Sequence, residues 1–271
     1  MNRYPVFLDG ISNARDLGGL RASGKRVRPG VLLRTADLGH ASPGAIEALH
    51  DTYQVQTVID LRMSTERRAF PDPEVPGARN LHLAVMEVEE MSAGADPSLM
   101  DILLLPQTDR MALFEAFYAS GLLNPRLYLQ FLLTQRAKKA WTAFFHELLA
   151  LEDGRALLWH CTDGKDRTGC AAMLVLSALG ADRDTILGDY LMTNDLNARR
   201  LEAVRQKAGP LGWPQEKLEG LLFMSGGVHA AYMEEALAAL ESGYGSVQGY
   251  LREELDMGDA QCGELRRKFL C

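Results

Sequence analysis

Apolar runs alternate with polar, glycine-containing loops along the chain, and the run from Ala156 to Trp159 is the most informative of them. A short uninterrupted apolar run of this kind is typical of a strand that is buried on both faces. It ends in a polar loop that contains Gly164, and an apolar helix follows from Cys170. The pattern therefore predicts a strand, a loop and a helix in succession, with Cys161 at the start of the loop.

Further strands and helices are predicted on the N-terminal side of this loop. β-Branched and apolar residues predict strands in three segments, 31–38, 55–61 and 78–85. Ser42 followed by Pro43 predicts a helix start that runs to about His50. A second capped helix start is predicted over 64–67, with Ser64 or Thr65 as the cap. Helical periodicity predicts one helix and a second, longer one within 108–151. Strands that alternate with helices favour an α/β fold with a central, mostly parallel sheet flanked by helices.

The segment 197–241 differs from the rest because it is polar and helical, with interruptions by Gly and Pro. Its plain interpretation is two ordinary peripheral helices. It carries several basic residues: Arg199, Arg200, Arg205 and Lys207. No long linker or repeat divides the chain, so we expect a single domain over 1–271.

Composition narrows the function classes. The chain has 271 residues, of which 47% are hydrophobic and 24% charged, and its formal net charge is −7. This balance argues against nucleic-acid binding and against stable membrane insertion, and no apolar run approaches the ~20 residues of a membrane span. The N-terminus lacks the pattern of a secretory signal, so a cytoplasmic location is the default expectation. The four cysteines have neither disulfide nor metal-ligand spacing.

Cys161 and Arg167 are the candidate chemical groups, and Arg167 is predicted to lie at the first turn of the helix that follows the loop. A helix N-terminus offers unpaired N–H groups and a positive dipole end, which favour an anion. Successive loop N–H groups wrap a phosphate, and Arg167 adds a planar clamp on two of its oxygens. The same field favours the thiolate of Cys161, which is then a nucleophile towards a bound phosphate monoester.

The segment from His160 to Gly169 resembles the His-Cys-x-x-Gly-x-x-Arg-Thr-Gly signature of the cysteine-based protein tyrosine phosphatase superfamily. More narrowly, it resembles the bacterial tyrosine/serine phosphatase family, as does the N-terminal Asn-x-Arg-Asp-x-Gly-Gly element over 13–19. The resemblance covers about 13–255. It implies the three-layer fold of the phosphotyrosine phosphatases, with a helical lid-like insertion over 197–241, and it leaves export as an effector open.

The resemblance also assigns roles within the signature. Cys161 attacks phosphorus and forms a phosphocysteine, while Arg167 holds the phosphoryl oxygens. His160 orients the loop, and Thr168 donates a hydrogen bond to the leaving thiolate. The other substrate-binding positions are Thr162, Asp163, Gly164 and Lys165, and Arg15 and Asp16 have supporting roles. Asp163 would slightly repel an anionic substrate unless it pairs with Arg15 or Lys165. We expect Gly164 to allow close backbone approach to phosphate.

Two roles are open for Asp166. In the resembled family this position is the candidate general acid that protonates the leaving oxygen. Alternatively, it braces Arg167 or a loop N–H group. Other phosphatases use a distant Asp, but no acid in the stretch 87–96 lies in a recognisable context, and a solvated acidic loop is the better interpretation. The acids concerned are Glu87, Glu89, Glu90 and Asp96.

The leading function is therefore a protein-tyrosine phosphatase that also accepts phosphoserine or phosphothreonine. A phosphoinositide phosphatase with the same loop is the first alternative, because Lys165 resembles a position in lipid phosphatases. A non-catalytic phosphate-binding module is the second, although Cys161 and Arg167 are both intact. Rhodanese-like sulfur transfer fits the Arg-Thr-Gly ending poorly. No metal or other cofactor is expected.

Overall fold

A six-stranded sheet carries the signature loop at its centre in the computed structural model, which describes residues 4–88 and 110–271. The strands of this sheet are β1 (Tyr4–Pro5), β2 (Arg15–Asp16), β5 (Leu32–Thr35), β6 (Val55–Asp60), β7 (Arg79–His82) and β8 (Ala156–His160). A separate two-stranded hairpin consists of β3 (Arg21–Ala22) and β4 (Lys25–Arg26).

The strand order is β1-β2-β5-β8-β6-β7, and β8 therefore lies between β5 and β6. The pairs β5–β8, β6–β8 and β6–β7 are parallel, whereas β1–β2 and β2–β5 are antiparallel. Leu158 is in register with Leu33 on one side and with Val58 on the other. The central, mostly parallel sheet is confirmed, and the carboxyl ends of three parallel strands meet at the signature loop.

Helices cover both faces of the sheet. In chain order they are α1 (Pro43–Glu47), α2 (Ser64–Ala69), α3 (Arg110–Ala119), α4 (Leu127–Leu133), α5 (Gln135–Ala150), α6 (Asp166–Leu179), α7 (Arg183–Leu196), α8 (Ala198–Ala208), α9 (Gln215–Met224), α10 (Ala230–Tyr244), α11 (Val247–Glu254) and α12 (Asp259–Phe269). A π-helical turn, Ala48–Thr52, extends α1, and a 3₁₀ turn, Gly209–Leu211, follows α8.

The central strand separates two hydrophobic cores. Leu157 and Trp159 contribute to the larger core, which also contains the buried faces of α4 to α6 and α10 to α12. Ala156 and Leu158 point the other way, into a smaller core with α1 and the N-terminal segment. Since successive side chains of a strand point to opposite faces, the uninterrupted apolar run is explained by burial on both sides. The result is a three-layer arrangement.

Several helix ends match the sequence expectation, and others do not. Ser42 caps α1 by accepting the Ala45 N–H, as expected. The helix predicted over the later part of 108–151 is divided into α4 and α5, because Thr134 adopts an extended conformation and caps α5. The start of α2 is also different: Met63 occupies the cap position, and its N–H is bonded by Glu66 rather than by a Ser or Thr hydroxyl.

The segment 197–241 is helical, as predicted, but its parts differ in burial. α8 and α9 each bury one side, whereas α10 places Met233, Ala236 and Leu240 in the main core with no exposed surface. Among the described residues, no helix is both long and apolar enough to cross a bilayer.

Candidate active site

The signature loop connects β8 to α6 and holds Cys161 at its base. Cys161 follows β8 directly and is only 2% exposed. The helix α6 starts at Asp166, so Arg167 lies in its first turn, as the sequence predicted. The N-terminus of α6 and the loop therefore surround the space next to the thiol with backbone N–H groups.

Gly164 is required for close packing between the loop and a neighbouring strand. Its φ is +65°, and a Cβ at this position would lie 2.4 Å from the Thr35 carbonyl oxygen at the end of β5. The glycine therefore lets the loop approach β5 closely. The close backbone approach to phosphate stays a prediction.

The side chains of Asn13 and Arg34 donate hydrogen bonds to backbone carbonyl groups of the signature loop. Asn13 Nδ2 donates to the carbonyl oxygens of Gly164 at 2.8 Å and Asp163 at 3.1 Å. Arg34, buried in β5, donates from Nη2 to the same Gly164 oxygen at 3.0 Å. These bonds hold the loop carbonyl groups away from the space next to Cys161 in which an anion would bind. Neither residue was among the predicted site residues.

A buried ion-pair cluster supports these contacts. Asp189 of α7 accepts from Arg15 Nε at 2.9 Å and from Arg34 Nη1, and Arg15 Nη1 reaches the Asn13 Oδ1 atom at 2.5 Å. Burial alone would raise the pKa of Asp189, but the two guanidinium groups outweigh it and lower that pKa. Arg15 thus contacts the loop through Asn13, which agrees with a supporting role. Asp16 instead accepts the N–H groups of Gly18 and Gly30 and holds the N-terminal turns.

Glu66 holds the guanidinium of Arg167. Its two carboxylate oxygens accept from Arg167 Nη1 at 2.6 Å and Nη2 at 2.9 Å, and Oε1 also accepts the Thr162 hydroxyl at 2.5 Å. Burial opposes the charge on Glu66, but Arg167 and Thr162 lower its pKa to about 2, and Glu66 in turn raises the pKa of Arg167. The sequence suggested only a helix cap here, and Glu66 performs that function as well.

Among the described residues, Asp166 is bonded by two groups, Tyr128 and Lys165. Tyr128 donates its hydroxyl to Asp166 Oδ1 at 2.6 Å, and Lys165 Nζ lies 3.0 Å from Oδ1 and 2.8 Å from Oδ2. Lys165 also lies 3.6 Å above the ring of Phe223 from α9. Among the described residues, the carboxylate hydrogen-bonded to Arg167 is that of Glu66. Both roles of Asp166, general acid and brace, stay predictions.

Asp163 pairs with a residue that the sequence analysis did not select for it. Its Oδ1 accepts from Arg200 Nη1 of α8 at 3.0 Å. The partner is therefore neither of the two residues considered from the sequence, since Arg15 bonds Asp189 and Lys165 bonds Asp166. A helix from the segment 197–241 thus contacts the signature loop directly.

His160 lies in a second buried network behind the loop. Its Nδ1 is 3.3 Å from the Cys161 carbonyl oxygen and its Nε2 is 3.2 Å from Asp72. One carboxylate oxygen from each of Asp60 and Asp72 and one ring nitrogen of His160 lie within 4.8 Å of one another, a spacing that a metal ion could use. However, Arg62 Nη2 donates to both carboxylates at 2.9 and 2.6 Å, so the network already contains its cation.

Thr168 is fully buried, and its carbonyl accepts the Trp159 indole N–H. Within the described residues its hydroxyl has no hydrogen-bond partner, which suits a donor that acts on a thiolate during the reaction. Cys170, one turn inside α6, is fully buried, and burial and the charge of Asp166 raise the pKa of its thiol. It is a core residue.

Comparison with known proteins agrees with this geometry. The model of the tyrosine phosphatase family matches residues 6–271. The chain belongs to the tyrosine phosphatase family. It is 35% identical over 262 residues to a candidate tyrosine-protein phosphatase of Cupriavidus necator, covering 96% of this chain and 87% of that one. It is 30% identical over 270 residues to the triple specificity protein phosphatase PtpB of Mycobacterium tuberculosis, covering 91% and 92%.

Membership of this phosphatase family makes the chain a phosphoric monoester hydrolase and agrees with the metal-independent cysteine mechanism implied by the resemblance. A cavity of about 580 Å³ opens onto Cys161, Asp166 and Arg167. Its walls are mainly apolar and come from α3, α4, α8 and α9 as well as the loop. Its size lies in the range of ordinary small-molecule sites.

The signature residues were predictable because they are adjacent in sequence, whereas their partners are distant. The missed partners are Asn13, Arg34, Glu66, Tyr128, Asp189 and Arg200. The sequence did contain a signal for Glu66, because an acid at the third position of a helix commonly accepts the N–H group of the cap residue. The candidate acids Glu89, Glu90 and Asp96 lie outside the described residues. Glu87 bonds Ser64 at the start of α2.

Proposed function

We propose that this chain hydrolyses phosphotyrosine through a phosphocysteine on Cys161, with slower action on phosphoserine and phosphothreonine. The observation that carries the proposal is the clamp of Glu66 on Arg167 beside the buried thiol. Glu66 uses two of the five guanidinium N–H donors, so Arg167 keeps donors for two phosphoryl oxygens. The loop N–H groups and the α6 N-terminus complete the anion site.

Each signature residue has a role in two steps. Cys161 Sγ forms a bond to phosphorus as the ester bond breaks, and the Asp166 carboxyl gives its proton to the leaving oxygen. Water then attacks phosphorus and gives a proton to the Asp166 carboxylate, which restores the acid. The bond from phosphorus to Cys161 Sγ breaks, inorganic phosphate is released, and Thr168 donates a hydrogen bond to the departing thiolate. Lys165 and Thr162 set the charge and shape of the loop, and His160 orients Cys161.

The walls of the cavity favour phosphotyrosine over phosphoserine. Cys161 is 2% exposed, so a phosphoryl group must enter deeply to reach it. Phe223, Leu127 and Phe131 line the same cavity and provide apolar contact for an aromatic ring. A phosphoserine side chain is shorter and has no ring to fill this space. We therefore expect a lower kcat/KM for phosphoserine than for phosphotyrosine.

We propose that α8 and α9 act as the lid-like part of a single domain. α8 contributes Arg200 to the loop contact and Val204 to the cavity wall, and α9 contributes Leu221 and Phe223. These contacts restrict entry from that side. The α10 part of 197–241 is instead a component of the core.

The test is phosphate release in EDTA from a phosphotyrosine peptide, a phosphoserine peptide and phosphatidylinositol 3-phosphate. The triple specificity in the name of the mycobacterial relative is a reason to include more than one ester class. We expect the phosphotyrosine peptide to be the best substrate and Cys161→Ser to abolish turnover of every ester. Cys161→Ser that retained turnover would overturn the mechanism, and a preference for the lipid would overturn the substrate class.

Asp166→Asn in the same assay tests the acid. We expect kcat to fall about 10²-fold or more, the usual contribution of a positioned general acid. Since the variant keeps one acceptor oxygen for Tyr128 and Lys165 and changes only the second oxygen to a donor, the fold should be retained, as measured by circular dichroism. Near-normal turnover of a phosphotyrosine peptide would show that another group gives the proton.

A further inference from the structure

A chain of hydroxyl groups leads from the interior to Asp166. Tyr128 of α4 donates to Asp166 Oδ1 at 2.6 Å, and the Tyr190 hydroxyl of α7 lies 2.7 Å from the Tyr128 hydroxyl. Tyr128 has one hydrogen, which it gives to Asp166, so Tyr190 is the donor in the second bond. The direction of the chain is thus set from Tyr190 to Tyr128 to the carboxylate.

Both tyrosines are enclosed by the core and rigidly packed. Tyr128 is fully buried and Tyr190 is 1% exposed, and their rings meet edge to face with centroids 6.1 Å apart. Tyr232 of α10 packs against Tyr128 and stacks on Phe223. Burial, together with the nearby charge of Asp166, raises the pKa of both tyrosines, so both remain neutral donors.

The two oxygens of Asp166 therefore differ. Oδ1 accepts hydrogen bonds from Tyr128 and from Lys165, and these two bonds use both lone pairs of Oδ1. Among the described residues, Oδ2 accepts only from Lys165. A proton carried by Asp166 belongs on Oδ2.

We propose that Tyr128 is a positioning residue for proton transfer by Asp166, with Tyr190 as the second member of the chain. The inference rests on the proposed role of Asp166 as the general acid. In the first step the Asp166 Oδ2–H bond breaks, the leaving oxygen takes that proton and Cys161 Sγ bonds to phosphorus. Tyr128 keeps its hydrogen throughout and fixes the carboxyl group so that Oδ2 faces the cavity.

The test compares Tyr128→Phe with wild type on two aryl phosphates of similar size. Phenyl phosphate has a basic leaving group and needs the acid, whereas 4-nitrophenyl phosphate has a much less basic one. We expect kcat for phenyl phosphate to fall about tenfold, a part of the usual general-acid contribution, and kcat for 4-nitrophenyl phosphate to change by less than about threefold. Tyr190→Phe should give a smaller loss of the same kind.

Tyr250→Phe is the matched control. Tyr250 is also fully buried, and its hydroxyl donates to the Leu132 carbonyl at 2.5 Å, away from the signature loop. This variant removes an equivalent buried hydroxyl and should not change the ratio of the two kcat values. A purely structural role for Tyr128 predicts that both substrates lose activity equally, and that result would overturn the proposal.

A double-variant cycle separates this proposal from the role of Asp166. In the Asp166→Asn background, Tyr128→Phe should leave kcat for phenyl phosphate unchanged, because the proton that it positions is absent. A further tenfold loss in that background would overturn the positioning role. If Asp166→Asn impairs phenyl phosphate hydrolysis but Tyr128→Phe behaves like Tyr250→Phe, only the positioning role fails. If Asp166→Asn is harmless, the acid assignment fails as well.

Discussion

At the scale of single residues, one carboxylate connects folding to catalysis. Glu66 accepts four hydrogen bonds, from Met63 N–H, the Thr162 hydroxyl and two Arg167 nitrogens. It thereby starts α2, closes one side of the loop and orients the guanidinium. A carboxylate with every acceptor site filled is a stable buried charge, provided that it stays ionised.

Glu66→Gln keeps the shape of the side chain and leaves Arg167 without its counter-charge. We expect the free energy of unfolding at pH 7 to fall by about 2–4 kcal/mol, the cost of breaking a mostly buried pair. The pKa of Glu66 is about 2 in the folded chain, against 4.5 for an ordinary Glu. Its stabilising contribution is therefore complete above pH 4.5 and is lost as the pH falls towards 2.

Denaturant unfolding of wild type and Glu66→Gln across this pH range measures the effect. The difference in stability should be constant at neutral pH and shrink only below about pH 4.5, because the glutamine does not titrate. A difference that stayed constant into strong acid, or was absent at neutral pH, would contradict this account of the clamp.

Gly164→Ala tests the contact between the loop and β5. The added Cβ would approach the Thr35 oxygen to 2.4 Å, so the loop must shift away from Arg34 and Asn13. We expect loss of most activity and of vanadate binding. Gly154→Ala is the control, since Gly154 has a φ of +78° but open space around its Cβ, and it should cost only about 1 kcal/mol in stability. Equal effects on activity would refute the steric explanation.

At the scale of elements, α8 reaches the catalytic loop through one partly exposed ion pair. The Arg200 side chain is 33% exposed and that of Asp163 27%, so the pair adds little to stability. Its effect on substrate binding is larger than its effect on stability, because Arg200 neutralises an acid in the loop that receives an anionic substrate. Arg200 Nη2 is also buried without a hydrogen-bond partner among the described residues.

Arg200→Ala should therefore raise KM for a phosphotyrosine peptide with little change in kcat. About a fivefold rise corresponds to about 1 kcal/mol of lost charge neutralisation, and it should shrink at high salt. Asp163→Asn in the same chain should restore KM by removing the repelling charge. Arg205→Ala is the control on the same helix, since Arg205 faces Glu202 at 3.8 Å. An equal rise in KM for Arg205→Ala would point to general electrostatics instead.

The elements also show what the sequence could predict. The strand–loop–helix around Cys161 and the cap at Ser42 depend on neighbours along the chain, and they were predicted correctly. The break at Thr134 was missed because aromatic periodicity continues across it in the sequence. Whether a Thr caps a helix or lies within one depends on packing that periodicity does not encode.

At the scale of the whole molecule, the sheet brings together residues that are far apart in the chain. Asp189 of α7 ties Arg15 of β2 to Arg34 of β5, and both arginines support the same loop through Gly164 or Asn13. This cluster is buried, so each charge depends on the others. Such partners could not be selected from the sequence alone, because the sequence does not distinguish an arginine that the fold buries from one that stays exposed. The loop residues could be selected from the sequence, because they lie close together along the chain.

The central claim is that the buried thiol of Cys161 carries the phosphoryl group during turnover. Acid quenching of wild-type protein that is hydrolysing a phosphotyrosine peptide, followed by peptide mass spectrometry, tests it most directly. The account predicts one phosphoryl group on the peptide that contains Cys161 and none on the same peptide from Cys161→Ser. Steady turnover with no phosphoryl group on that peptide, or with one on a different side chain, would contradict it.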